Sequence, residues 1–140
     1  NTMIEMMRLA QKNYSCGQII MSLALENRGE SNPDLVRAMA GLAYGLGSGS
    51  GSCGALTGAC CVLGLYAGKG DDTEQESESL MIMTHELSGW FEGRADEKAY
   101  GRQVQSRGVS RRFCRKCKDK FVVSHCSLLV LVSSGGPRLL

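Results

Sequence analysis

The chain has 140 residues, enough for one domain with a modest core, and its 43% hydrophobic and 21% charged residues exclude wholesale disorder and fibrous repeats. No stretch approaches the roughly 18 apolar residues of a membrane span, and the most apolar one, Phe121 to Val132, is short and interrupted by Ser124, His125 and Ser127. Net charge is only +2, but residues 94–120 hold ten basic against three acidic side chains, which divides the chain into a faintly acidic body and a basic tail.

In the body, apolar residues recur at helical spacing. Met3, Ile4, Met7, Leu9 and Ala10 predict a short amphipathic helix over Thr2 to Lys12, broken at Asn13 and Tyr14. Ser15 with Gln18 has the form of a capping box, and Ile19, Ile20, Leu23 and Leu25 supply the apolar face of a second helix ending near Gly29. Asn32 before Pro33 starts a third, because proline suits the first helical position and asparagine accepts from free backbone donors. Leu35, Met39, Leu42 and Ala43 continue it until glycines dissolve it. The GLGSGSGSCG stretch at 45–54 must be flexible or wrapped closely around something.

A fourth helix is expected from near Cys53 to about Ala67, with Gly54, Gly58, Cys61, Gly64 and Leu65 lining one side. Small residues there would let another helix or a ligand approach the backbone. The acidic run Asp71 to Glu78 suits a helix N-terminus, and Leu80, Met83, Leu87, Trp90 and Phe91 form the stripe of a fifth helix ending near Gly93. Beyond Arg94 periodicity fades, although Phe121 to Val132 has the look of a strand. The expectation is all-α, a compact bundle of about five helices over residues 1–93, with an irregular basic, cysteine-containing segment over 94–140. The sudden basic composition and the ending SSGGPRLL read as translation in a shifted frame or an artificial terminus, with a natural variable tail as the alternative.

Seven cysteines are too few for a disulfide scaffold and odd in number, which favours thiols that bind metal or do redox chemistry over a secreted framework. No secretory signal pattern is present, and the expected compartment is the cytoplasm. Cys53 stands where the glycine-rich loop meets a helix start, and backbone donors with the helix dipole there favour thiolate. Cys60 lies about 10 Å further along by helix rise, too far to pair with it. Cys16, in the first turn of its own helix, can meet Cys53 if the two helix starts are adjacent. Inert packing as small hydrophobes is the alternative for any of the cysteines.

Other motifs fail on spacing. The glycine loop lacks a phosphate-binding lysine and a preceding strand, so it is no nucleotide fingerprint. Cys114 and Cys117 form a C-x-x-C pair inside RRFCRKCKDK, but His125 and Cys126 are adjacent and poorly spaced to complete a zinc site. Lys118 excludes a haem attachment. His85 and Glu86 occur singly, and no Ser-His-Asp or paired-carboxylate arrangement is evident.

YSCGQIIMSLAL around Cys16, GLGSGSGSCGALTGACCVLGLYAG around Cys53 and FEGR after the fifth helix resemble the C-GCAxxG-C-C family of redox-active proteins. The resemblance is carried by residues 14–68 and the flanking helices. It implies a compact helical protein whose motif cysteines hold a redox centre, and the related pattern of split-Soret cytochromes c implies an iron–sulfur cluster. Here Gly54 holds the place before the Ala-x-x-Gly unit that the family name gives to cysteine, and Cys53 comes one residue earlier.

The expected function is redox: electron transfer with a partner protein through cysteine thiolates. Cys16 and Cys53 are the expected catalytic pair. As cluster ligands they would be joined by one or two of Cys114, Cys117 and Cys126, since a two-iron cluster normally takes four thiolates. Gly51, Gly54 and Gly58 would lie against the cofactor, their loop donating hydrogen bonds to sulfur. Without metal, Cys53 would attack a disulfide and another cysteine would resolve it. The alternative is a helical interaction module with a zinc-stapled basic tail that binds nucleic acid. Small residues on the fourth helix could also support a homodimer, and no membrane partner is expected.

Overall fold

A computed structural model describes residues 2–49 and 52–99. Five α-helices account for most of them, and no strand is present among them: α1 (Thr2–Gln11), α2 (Cys16–Asn27), α3 (Pro33–Met39), α4 (Gly54–Ala67) and α5 (Leu80–Ala99). The all-α expectation holds. The strand-like run at 121–132 and the rest of the basic segment from residue 100 lie outside the described residues.

Two of the helix ends follow one local chemistry. Asn13, at φ 66°, terminates α1, with its N–H donating to the Ala10 carbonyl and the Tyr14 N–H to the Leu9 carbonyl. Gly29, at φ 68°, ends α2 in the same way, with Gly29 N–H on Glu26 and Glu30 N–H on Leu25. Two of the helix starts carry side-chain caps. Ser15 and Gln18 form the expected capping box, and the Gln18 amide also donates to the Val36 carbonyl, tying α2 to α3. Asn32 accepts from the Leu35 N–H, with Pro33 at the first helical position.

Three boundaries differ from the sequence expectation. After Met39 the third helix tightens into a 3-10 turn at Ala40–Leu42, and four consecutive residues, Tyr44, Gly45, Leu46 and Gly47, then take positive φ. That reversal carries the chain from α3 toward α4. The acidic run 71–78 precedes α5 and does not start it, because its side chains close local turns. Asp71 accepts from the N–H and hydroxyl of Thr73, Glu74 accepts from the Gly70 N–H, and the helix begins at Leu80. At its other end α5 continues past Gly93 to Ala99.

α2 is the hub of the core. Gly17, Ile19, Ile20, Met21, Leu23, Ala24 and Leu25 are all buried, so the helix presents little surface to water. α1 covers it with Met6 and Leu9, α3 adds Met39, and α4 adds Ala55, Leu56, Ala59 and Val62. α5 packs on the outer side of α4 and contributes Phe91. The turn just before it is held to the end of α4 by the Ser77 N–H on the Ala67 carbonyl, at 2.8 Å.

Candidate functional site

α2 and α4 lie side by side and run in the same direction. At one end Gly17 meets Gly54 and Gly58; at the other the Arg28 guanidinium stands 5.0 Å from the Tyr66 ring centroid. The contact at the first end is backbone on backbone. A Cβ on Gly58 would lie 2.7 Å from the Gly17 Cα, and one on Gly17 would lie 3.3 Å from the Gly54 carbonyl oxygen. At Gly58 only glycine allows the helices to close to this distance, and a Cβ on Gly17 would push the Gly54 carbonyl by a few tenths of an ångström.

Both site cysteines sit at this end, each immediately before one of those glycines. Cys16 is the first residue of α2, and Cys53 is the N-cap of α4. The condition for Cys16 to approach Cys53, adjacency of the two helix starts, is therefore met. The positive ends of two parallel helix dipoles converge there, which favours the thiolate form of a cysteine in the first turn.

Their surroundings differ. Cys53 is 1% exposed and belongs to the hydrophobic core, whereas Cys16 is partly exposed and packs against that core from its edge. The start of α4 is closed on its far side by the segment after α3. A Cβ on Gly54 would lie 3.0 Å from the Leu42 carbonyl oxygen and 3.6 Å from the Ala43 Cα.

Two of the glycines expected to approach a cofactor, Gly54 and Gly58, lie against protein backbone. Gly58 is pressed on Gly17, and Gly54 on Leu42 and Ala43, so protein backbone occupies the space their missing side chains leave. Gly51 lies outside the described residues, as do Cys114, Cys117 and Cys126. Among the described residues no group of three His, Cys, Asp or Glu side chains is arranged to hold a metal ion.

Cys60 and Cys61 are a different kind of thiol. They lie further along α4, half-buried, and burial pushes both thiols above their ordinary range, with the neighbouring Cys61 adding to the effect at Cys60. Burial thus disfavours their thiolate form. Gly17 was not among the residues that the sequence marked. Its signal is the dipeptide Cys-Gly, which occurs at 16–17 and again at 53–54, at the two places where the helices touch.

Fold and site together define a small helical protein with a cysteine at each of two paired helix starts. A family model described as "Putative redox-active protein (C_GCAxxG_C_C)" matches residues 14–131, and the chain belongs to that family. The match takes in the basic segment with Cys114, Cys117 and Cys126, further than the motif region over residues 14–68 on which the resemblance rests. Searches of the curated proteins and of the solved structures found no match. No helix among the described residues is long and apolar enough to cross a membrane.

Proposed function

We propose that the chain is a thiol–disulfide redox protein in which Cys16 and Cys53 cycle between dithiol and disulfide and exchange electrons with a partner protein. One observation carries this reading: the Gly17–Gly58 approach holds α2 and α4 parallel, with a cysteine at the start of each. Helix N-termini lower the cost of the thiolate, the form that attacks a disulfide. Two thiols at adjacent helix starts suit a two-electron couple. They do not suit an iron–sulfur cluster by themselves, because such clusters are normally held by four thiolates and the described residues offer no third ligand at this end.

A second reading is favoured by the reach of the family match over Cys114, Cys117 and Cys126. In it some of those residues join Cys16 and Cys53 as ligands of an iron–sulfur centre, which would supply one-electron transfer. Anaerobic purification with iron, sulfide and zinc analysis, a visible spectrum and a thiol titration before and after reduction separates the two. The dithiol reading expects a colourless, iron-free protein that gains two titratable thiols on reduction. Iron with acid-labile sulfide and broad visible absorbance would establish the cluster instead.

A further inference from the structure

We propose that Cys16 is the thiol that attacks a substrate disulfide and that Cys53 is the resolving thiol, the reverse of the order expected from the sequence. The assignment rests on the dithiol reading above. Thiol–disulfide exchange depends on access of the attacking sulfur to the substrate as well as on its charge. Both cysteines occupy helix starts, so the dipole does not distinguish them. Access does. Cys53 is 1% exposed, and the α4 start beside it is closed by Gly17 on one side and by Leu42 and Ala43 on the other. At that burial a bulky disulfide could reach it only after its surroundings opened. Cys16, at the edge of the core, is partly exposed and needs no such opening.

Burial suits the second step. The Cys16 thiolate attacks one sulfur of R–S–S–R′, forming a Cys16–S–S–R bond and releasing R′–S⁻. Cys53 then gives up its proton and attacks the Cys16 sulfur from inside the protein, forming the Cys16–Cys53 bond and releasing R–S⁻. The two protons lost by the cysteines go to the two departing thiolates. Protein is oxidised and substrate reduced by two electrons. A resolving thiol kept from solvent attacks the mixed disulfide beside it and is not consumed by oxidants outside.

The test uses full-length reduced protein, glutathione disulfide as the probe, an acid quench and peptide mapping by mass spectrometry. Cys53→Ser is expected to accumulate a glutathione adduct on Cys16, and Cys16→Ser to carry none on Cys53. Unsubstituted protein should be alkylated by iodoacetamide at Cys16 about tenfold faster than at Cys53, which reads the same order should either variant misfold. An adduct on Cys53 in Cys16→Ser, or faster alkylation of Cys53, overturns the assignment. If the unsubstituted protein still forms a Cys16–Cys53 disulfide, only the order of attack is wrong. If it forms no such disulfide, the dithiol reading falls and the assignment with it.

Discussion

A methyl group on Gly58 would stand 2.7 Å from the Gly17 Cα, and helix backbone cannot turn aside as the end of a flexible side chain can. Gly58→Ala is therefore expected to cost about 1–3 kcal/mol of stability, the usual range for overpacking. A Cβ on Gly64, six residues along the same helix, would meet nothing within 4 Å. Gly64→Ala should gain up to about 1 kcal/mol through helix propensity. Urea denaturation followed by the fluorescence of Trp90, the sole tryptophan, checks both, and equal stabilities would contradict the close α2–α4 approach. Cys60 and Cys61 support a pH prediction. Their pKa values are raised in the folded state, so the fold favours their neutral form, and the resulting stabilisation is present below the ordinary thiol range. It is lost as pH rises through their folded pKa values. Denaturation midpoints should fall less steeply at high pH when both are replaced by alanine.

At the scale of the helix, Gln18 links two elements. Its side chain completes the α2 capping box and donates to the Val36 carbonyl at 3.2 Å. Gln18→Ala removes both interactions, and a loss of about 1–2 kcal/mol is expected from the cap and the orphaned carbonyl together. Asn32→Ala, which removes only the α3 cap, should cost about 1 kcal/mol. Comparing their denaturation midpoints tests whether Gln18 carries the larger share. Caps and stops of this kind are legible in a sequence because each is a contact between residues two to five apart. The start of α5 was not, since the acidic run before it satisfies its own turns. The composition of Asp71 to Glu78 suits a helix start equally well, and only the Asp71–Thr73 and Glu74–Gly70 bonds decide against one.

Over the whole molecule, oxidation is the property to measure. A Cys16–Cys53 disulfide would close a loop of roughly 40 residues, which by loop-closure entropy stabilises the fold by up to about 4 kcal/mol over the reduced protein. Oxidised protein should unfold at higher urea than reduced protein, and the difference should vanish in Cys16→Ser. No shift would mean that the two cysteines do not pair or that pairing strains the α2–α4 contact.

From sequence alone came the five helices, most of their ends, and the position of Cys16 and Cys53 at two helix starts, because periodicity and capping are local. Tertiary structure decided what those positions mean. Nothing within α2 or α4 specifies that they run parallel, that Gly17 is the partner of Gly58, or that Gly54 faces the backbone of Leu42 and Ala43. The α2–α4 contacts join residues some 40 apart, and Gly54 meets Leu42 and Ala43 across the reversal after α3. The same holds for the difference between the thiols: Cys53 is the more deeply placed because α2 and the segment after α3 close over the α4 start, while the start of α2 stays at the edge of the core.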